Sequence, residues 1–298
     1  MGRAPHAVGP AVLDAHRRPD VRTIASGRDW TVSEYTCHAG PQDRPFEESH
    51  GGVSIAAVVD GTFRYRTDTG RVLMHPGSFL LGNPGAGFEC SHEHGRGDRC
   101  ISIHLAPELF ADIAALAANS SEYRFALPML PAAQRTMACV VGLQAIDRRC
   151  GSLEIEEAVA AITAEVVSRA SEHAAIRTRT PARVERRIAD IVRHMSETAN
   201  DPHSLADLAA AAGLSRFHFL RTFRQVVGMS PHQYLLTLRM RRAATRLLET
   251  SQAVSAVAFD AGFNDLSTFN RRFRHLFGLT PLEFRACSRA FLEAPPSP

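Results

Sequence analysis

Short apolar segments separated by turn sequences make up the first part of the chain. Seven such segments lie between residues 31 and 105, and they are rich in the β-branched and aromatic residues that favour strands. Glycine, aspartate and asparagine occupy the breaks, where tight turns require positive φ angles. Strands that recur at this spacing predict a small barrel or sandwich. The predicted strands are TVSEYTC, GVSIAAVV, TFRYRT, RVLM, SFLLG, GFECSHEH and RCISIHL.

Helical spacing begins after residue 106. Pro107 suits the first turn of a helix, where a backbone N–H has no intrahelical partner. Residues 132–149 and 153–172 predict two further helices, and the second of these carries one apolar stripe. This helix pair could complete the barrel core or form the seam of a dimer, and the pattern leaves both open. The stripe consists of Ile155, Val159, Ile162 and Val166.

A polar linker divides the chain in two. Residues 176–182 contain a proline and lack apolar periodicity, so the domain boundary is placed there. The predicted fold class is α+β with two domains, a small β-barrel with a helical pair and then an all-helical domain. The predicted divisions are a mobile arm (1–20), the barrel domain (21–175), a linker (176–183), the helical domain (184–291) and a tail (292–298).

The helical domain contains an internal repeat. The segment from Ser204 to Leu214 matches the segment from Ala253 to Phe263 at an offset of 49 residues, and later positions match at an offset of 50. Each copy runs helix, glycine turn, helix, then glycine and proline, which is the pattern of a helix-turn-helix unit. The later matching pairs are Phe219 and Phe269, Arg221 and Arg271, Phe223 and Phe273, Arg224 and Arg274, Gly228 and Gly278, Pro231 and Pro281, and Tyr234 and Phe284.

Local residues define the turn of each predicted unit. Gly213 and Gly262 supply the left-handed residue that ends a first helix. Ser215 is a suitable N-cap for the second helix of the first unit. Asn264 or Asp265 would serve in the second unit, where the copies differ by one residue.

A long helix, predicted from Pro231 to Thr250, joins the two units. A rigid spacer of this kind lets two recognition helices enter successive major grooves, which lie about 34 Å apart. Four arginines on this helix could contact phosphates or form internal salt bridges, and the sequence leaves both open. They are Arg239, Arg241, Arg242 and Arg246.

Each second helix has a face suited to a DNA groove. One face is aromatic and should pack inward against the first helix. The opposite face carries arginines beside amide and apolar groups, which can recognise guanine, adenine and thymine methyl groups. The candidate DNA-binding residues are Arg216, Phe217, Leu220, Arg221, Arg224, Leu266, Ser267, Asn270, Arg271 and Arg274.

The distribution of charge supports two domains with different tasks. Residues 1–175 hold 16 Arg and 21 Asp or Glu, whereas residues 176–298 hold 18 Arg and 10 Asp or Glu. A basic second half suits nucleic acid. There is no lysine, which indicates a GC-rich and hence bacterial coding sequence.

The composition excludes several classes of protein. With 45% apolar and 22% charged residues, the chain is neither disordered nor collagen-like. No apolar run is long enough to span a bilayer, and the N-terminus lacks the apolar core of a signal peptide. A cytoplasmic location without a membrane partner is therefore expected, with the six cysteines as thiols or ligands and not as disulfides.

Cysteines and histidines cluster in the last two predicted strands. Cys90, His92 and His94 alternate along one strand and share a face, as do Cys100 and His104 on the next. A hairpin that pairs His94 with Cys100 would point all five side chains the same way. Thiols and imidazoles suit zinc, copper or nickel, so Cys90, His92, His94 and Cys100 are candidate metal ligands. Alternatively, these residues line an effector pocket or are packed in the ordinary way.

Residues 184–286 resemble the DNA-binding domain of the AraC/XylS family of bacterial transcriptional regulators. The first half resembles, more weakly, the cupin-like ligand-binding and dimerisation domain of that family. The resemblance implies a homodimeric regulator that binds promoter DNA, responds to a small-molecule effector and acts with RNA polymerase, for example as an activator. Phe217 and Leu220 depart from the polar readers expected in the first unit. The matching positions are Gly262, Phe263, Phe269, Phe273, Gly278, Thr280, Pro281 and Arg285.

Two other functions compete with an effector-controlled regulator. One is a metal- or thiol-sensing regulator that uses the cysteine–histidine cluster. The other is a cupin metalloenzyme fused to a DNA-binding domain, with His92, Glu93 and His94 as ligands. Glu93 would point away from both histidines in a strand, so the usual facial arrangement is not met and no enzymatic activity is expected.

Overall fold

In the computed structural model, strands dominate the first 130 residues and helices dominate the remainder. The structure describes residues 19–43, 45–92, 97–133, 136–146, 151–172 and 180–290. The predicted tail and most of the predicted arm lie outside these ranges. The strands are β1 (Asp20–Ser26), β2 (Trp30–Cys37), β3 (Phe46–Ser49), β4 (Val53–Gly61), β5 (Phe63–Thr67), β6 (Gly70–Met74), β7 (Phe79–Gly82), β8 (Gly87–Ser91), β9 (Asp98–Leu105) and β10 (Met129–Leu130). The helices are α1 (Pro107–Ala118), α2 (Met137–Gln144), α3 (Ser152–Glu172), α4 (Ala182–Glu197), α5 (Leu205–Ala211), α6 (Arg216–Val227), α7 (Pro231–Glu249), α8 (Val254–Asp260), α9 (Leu266–Phe277) and α10 (Pro281–Ala290).

Two antiparallel sheets form the N-terminal domain. The larger has the order β1-β2-β9-β4-β7-β10 and the smaller the order β3-β8-β5-β6. Alternate residues of β4 serve two cores, because Ile55 and Ala57 pack with α1 and α3 while Ala56 and Val58 pack with the smaller sheet. Both faces of β4 are therefore buried, which explains why its sequence is a continuous apolar run.

The predicted hairpin between the strands of Cys90 and Cys100 is wrong. β8 pairs with β3 and β5 in the smaller sheet, whereas β9 pairs with β2 and β4 in the larger one. Cys100 therefore lies opposite Tyr35 and Val58. The reason is that β9 carries an isoleucine-rich face, and a central place in the larger sheet buries that face under α1 and α3.

The helical pair completes the core of its own domain. Val159 and Val166 of α3 are fully buried in the same core as β4 and β9, so the apolar stripe is not an exposed dimer seam. The helix predicted over 132–149 is shorter in the structure, where α2 begins at Met137 and residues 147–149 lie outside the described ranges. Strands β1, β3 and β10 were not predicted, since their sequences are short or polar.

Helix α7 connects the two halves of the C-terminal domain. Its first half contributes Tyr234 and Leu238 to a core shared with α4, α5 and α6. Its second half contributes Met240 and Leu247 to a second core shared with α8 and α9. The predicted pair of helix-turn-helix units joined by a long helix is confirmed.

The turns of both units have the predicted caps. Gly213 and Gly262 have φ angles of 60° and 81°, in the left-handed region. The Ser215 side chain accepts a hydrogen bond from a backbone N–H in the first turn of α6, and Asp265 accepts two in the first turn of α9. Asp265 is therefore the N-cap that the sequence left undecided between two residues.

Three arginines of α7 form contacts within the C-terminal domain. Arg239 donates three hydrogen bonds to backbone carbonyls in the loops after α4 and α8. Arg242 bonds a carbonyl of α4, and Arg246 forms an ion pair of 2.7 Å with Asp260. These contacts favour a structural role for the three arginines over phosphate binding.

A buried surface joins the two domains. α2 contacts both α7 and α9. Arg241 of α7, itself buried, donates a hydrogen bond of 3.4 Å to the carbonyl of Val58 in β4. Arg64 of β5 forms an ion pair of 3.3 Å with Glu185 of α4, and both side chains are largely buried. The helix that organises the DNA-binding domain therefore rests on a strand of the barrel.

Replacement of Gly262, in the turn of the second helix-turn-helix unit, tests how strongly that turn requires a glycine. A methyl group on Gly262 would lie 3.0 Å from Arg239 and 3.1 Å from the carbonyl of Asn200. We expect Gly262→Ala to lower the free energy of unfolding by about 1–2 kcal/mol, from backbone strain together with these contacts. Gly278→Ala is the control in chemical denaturation, because its φ is 74° and its methyl group would meet nothing within 4 Å. Equal losses in the two variants would show that the contacts contribute nothing.

Candidate effector pocket and DNA interface

A pocket of about 320 Å³ lies between the two sheets. Its size is at the lower end of the range typical of small-molecule sites. β9 lines it with alternate residues, because the isoleucines of that strand point to the opposite face. The lining residues are Pro19, Tyr35, Cys37, Glu48, Ser49, His50, Gly51, Ser54, Ala56, Phe63, Leu80, Phe88, Cys90, His92, Asp98, Cys100, Ser102 and His104.

A continuous chain of hydrogen bonds crosses one wall of the pocket. Tyr35 Oη lies 2.9 Å from His104 Nε2, and His104 Nδ1 lies 3.0 Å from Ser54 Oγ. Ser54 Oγ lies 3.1 Å from His50 Nδ1, and His50 Nε2 lies 2.8 Å from Tyr65 Oη. Each hydroxyl and ring nitrogen of this chain has a partner, which makes the polar wall well ordered.

Burial keeps this wall uncharged. Burial lowers the pKa of His50 to about 4, and it also lowers the pKa of His104. Burial likewise raises the pKa values of Tyr35 and Tyr65. Near neutral pH the wall therefore presents neutral donors and acceptors, and among the described lining residues there is no arginine.

A second polar group lies at another end of the pocket. The Cys37 Sγ, a ring nitrogen of His92 and a carboxylate oxygen of Asp98 all lie within 4.8 Å of one another. His92 Nε2 is 2.5 Å from Asp98 Oδ2, and Cys100 Sγ is 3.6 Å from Asp98 Oδ1. Burial by itself lowers the pKa of His92, but the hydrogen bonds with Asp98 and Cys37 outweigh it and raise this pKa to about 9. Burial raises the pKa of the Cys100 thiol. This buried triad could hold a metal ion.

The structure brings together only some of the predicted metal ligands. Cys90, His92 and Cys100 line one pocket, although they come from two sheets and not from a hairpin. His94 lies outside the described residues. The sequence analysis missed Cys37 and Asp98. The alternation of β2, which also points Tyr35 inward, was the signal that could have identified Cys37.

The candidate DNA-binding residues lie on the outer faces of α6 and α9. Both helices bury a pair of phenylalanines and turn their arginines outward. Phe217 is 79% exposed, and several other large apolar side chains of the described residues are also exposed, to different degrees. Leu220, Leu266 and Asn270 are half-buried, and the Oδ1 atom of Asn270 is buried. The exposed members of the set are Arg216, Phe217, Arg221, Arg224, Ser267, Arg271 and Arg274.

Two family profiles match the chain. One, described as an AraC-like ligand binding domain, matches residues 32–162, and the other, described as a helix-turn-helix domain, matches residues 208–286. The chain therefore belongs to the AraC family of transcriptional regulators, as the sequence resemblance implied. It is a DNA-binding regulator with a ligand-binding domain, and the metalloenzyme alternative is discarded.

Known regulators are similar to the C-terminal part of the chain. The transcriptional regulator Rob of Salmonella typhimurium is 32% identical over 111 residues, which cover 37% of this chain and 38% of Rob. The HTH-type transcriptional regulator MtrA of Neisseria gonorrhoeae is 27% identical over 101 residues, or 34% of each chain. A solved AraC-type regulator from Chromobacterium violaceum is 31% identical, covering 38% of this chain and 96% of that one with a TM-score of 0.34. The matched region spans about a third of the length of the curated relatives.

Within the described ranges, no helix combines the length and apolar character needed to cross a bilayer.

Buried histidines predict how stability depends on pH. The pKa values of His50 and His75 are lowered by burial to about 4, against about 6.5 in an unfolded chain. The unfolded state therefore binds protons that the folded state excludes, and the free energy of unfolding should fall between pH 6.5 and pH 4. The expected loss is up to about 3 kcal/mol for each histidine.

Urea unfolding at pH 7.5 and pH 4.5 measures this loss. His50→Gln should reduce the difference between the two pH values, because glutamine cannot take up a proton. His232→Gln is the matched control, since His232 is exposed in the first turn of α7 and its change should leave the difference unaltered. An unchanged pH dependence in His50→Gln would contradict the assignment.

Proposed function

We propose that this chain regulates transcription by placing α6 and α9 in successive major grooves of promoter DNA, under control of an effector in the barrel pocket. The observation that carries this proposal is the pair of arginine-bearing faces on either side of α7. Helix α7 has 19 residues and is therefore about 28 Å long. A spacer of that length is compatible with grooves about 34 Å apart on one face of the duplex.

Each exposed side chain has a proposed task. Arg271 reads a guanine edge, because a guanidinium can donate two parallel hydrogen bonds to the acceptors of guanine. Asn270 lies beside it and reads adenine after its half-buried amide turns outward. Arg274, one turn further along α9, binds phosphate.

The DNA contacts proposed for α6, in the first helix-turn-helix unit, are more apolar than those of α9. Phe217 and Leu220 contact thymine methyl groups, and Arg216, Arg221 and Arg224 bind bases or phosphates. The position of Phe217 supports this role, because its exposed ring lies in the first turn of α6 beside the exposed Arg216 and Arg221. Leu266 and Ser267 lie in the first turn of α9, at the positions that match the start of α6, and we assign them the same kind of base contact.

The pocket chemistry favours a neutral or cationic effector. Its polar wall offers hydroxyls and neutral imidazoles, and its apolar wall includes Phe63, Leu80 and Phe88. The carboxylate of Glu48 would repel an acidic ligand, and no arginine among the described lining residues offsets it. Asp98 contributes less to this repulsion, because its carboxylate is paired with His92. A small neutral molecule with both donors and acceptors fits this lining.

Strand β4 supplies a route from the pocket to the DNA-binding domain. Ala56 lines the pocket, and Val58, two residues further on, accepts the hydrogen bond from Arg241 of α7. An effector that shifts β4 therefore changes the surface on which α7 rests. Control of DNA binding requires that the effector binds the two positions of β4 with different free energies.

The remaining parts of the proposal follow from family membership. We infer a homodimer that acts with RNA polymerase in the bacterial cytoplasm. A transition metal such as zinc is the second candidate effector, and the Cys37, His92 and Asp98 group favours it.

Arginine substitutions in α9 test how the DNA is read. Arg271→Ala should cost roughly 1–3 kcal/mol on the preferred sequence and relax the preference at one base pair. Arg274→Ala should weaken all sequences alike and reduce the slope of log affinity against log salt by about 0.9. Fluorescence anisotropy with the full chain, on duplexes selected from a random library, measures both effects.

The control for these variants is an arginine of the barrel domain. Arg22→Ala removes an exposed ion pair with Glu34 and should change neither affinity nor salt slope. If Arg271→Ala and Arg274→Ala weaken selected and random duplexes equally, the orientation of α9 is wrong. A salt slope near zero for the unsubstituted chain would remove the proposal altogether.

A further inference from the structure

A thiol, an imidazole and a carboxylate from three different strands meet at one end of the pocket. Cys37 is the last residue of β2, His92 follows β8, and Asp98 is the first residue of β9. Their ligand atoms lie within 4.8 Å of one another, and all three side chains are more than nine-tenths buried. The group therefore joins the two sheets of the barrel.

We propose that Cys37, His92 and Asp98, with Cys100 as the fourth ligand, bind one zinc-class transition-metal ion that acts as an effector of this regulator. This inference rests on the proposed function, in which the pocket controls the DNA-binding domain. It takes up the second candidate effector named there and assigns it a complete set of four ligands, with Cys100 added.

The donor set suits such an ion. Thiolates, imidazoles and carboxylates are all ligands of tetrahedral zinc, whereas calcium and magnesium prefer oxygen alone. Ligand atoms around tetrahedral zinc lie about 3.5 Å apart, given bond lengths of about 2.0–2.3 Å. For Cys37, His92 and Asp98, whose ligand atoms lie within 4.8 Å of one another, the widest separation would contract and the 2.5 Å contact between His92 and Asp98 would open. Cys100 lies outside this group of three, so its thiol would also move towards the other ligands. Cys100 Sγ, at 3.6 Å from Asp98 Oδ1, is already at a suitable separation.

A simple ion pair accounts for less of the arrangement. The contact of 2.5 Å between His92 and Asp98 would satisfy these two groups without further help. It leaves the thiols of Cys37 and Cys100 as weak hydrogen-bonding partners of His92 and Asp98, in a pocket with room for an ion to enter. A metal ion engages all four groups at once.

The ligands lie next to the interface between the domains. Asp98 pairs with Gly61 at the end of β4, and Arg99, the following residue, pairs with Asp60. Arg99 and Asp60 line a cleft that Arg241 of α7 also lines. An ion that holds Asp98 in place therefore orders the strand ends that face the DNA-binding domain.

Cobalt(II) is the probe for the site, because tetrahedral thiolate coordination gives it intense visible bands and a thiolate charge-transfer band. The full chain is stripped with a chelator and titrated with Co²⁺, and Zn²⁺ is then added as a competitor. We expect one equivalent of Co²⁺ to bind with tetrahedral bands that Zn²⁺ abolishes. Absence of these bands, or a spectrum of octahedral Co²⁺, would overturn the proposal.

Single substitutions identify the ligands. Cys37→Ser and Asp98→Asn should each weaken binding at least about tenfold. Cys100→Ser should halve the charge-transfer intensity, because one of two thiolates is lost. Cys139→Ser is the matched control, since Cys139 is a buried cysteine of α2 outside the pocket, and it should bind Co²⁺ as the unsubstituted chain does. Far-ultraviolet circular dichroism checks that each variant is folded, and a folded Cys37→Ser variant with unchanged binding would contradict the assignment.

The regulatory part is tested on the same samples. Zn²⁺ should change the affinity of the full chain for a selected duplex at least threefold, and Cys37→Ser should abolish this response. Salt-dependent binding of duplex by metal-free protein, together with no Co²⁺ bands, would reject the metal site and leave the proposed function intact. No binding of duplex in either form would reject the proposed function, whereas the Co²⁺ spectrum would still decide the metal site.

Discussion

Helix α7 must satisfy three packed surfaces at once, and the arrangement of both domains depends on it. Its first half closes the core of one helix-turn-helix unit around Tyr234, and its second half closes the core of the other around Leu247. Its third surface rests on the barrel, where Arg241 reaches the carbonyl of Val58. Because α7 is shared by both helix-turn-helix units and also contacts the barrel, it sets the separation of α6 and α9 and connects their support to the ligand-binding domain.

The central strands of the barrel also use both of their faces. In β4 and β9 one set of alternate residues packs under the helices, and the other set faces the second sheet or the pocket. The pocket is therefore built on the reverse side of the core that holds the domain together. A ligand that moves His104 or Asp98 acts on strands that are hydrogen-bonded to each other in one sheet, next to the surface that carries α7. Binding in the pocket and the stability of the domain would thus involve the same strands.

The sequence predicted the C-terminal domain well because its signals are local. A glycine at a left-handed position, a capping residue and an aromatic pair lie within about a dozen residues of each other in each unit, and the repeat presents them twice. The pocket residues were found in part. Alternation correctly indicated inward-facing Cys100 and His104, but the assumed hairpin placed Cys90 beside them in the wrong sheet. Cys37 and Asp98 were missed because they are far apart along the chain and neither stands out in its own segment.

By itself the sequence determined the two-domain organisation, the double helix-turn-helix and the outward arginine faces. These features depend on periodicity, capping and composition, which act over short stretches of chain. Only the tertiary structure decided that β8 and β9 belong to different sheets, that Cys37, His92 and Asp98 meet, and that the arginines of α7 are engaged inside the protein. Strands pair in the arrangement that buries the most apolar faces and edges in the whole domain. Residues from distant parts of the chain therefore decide which strands become neighbours.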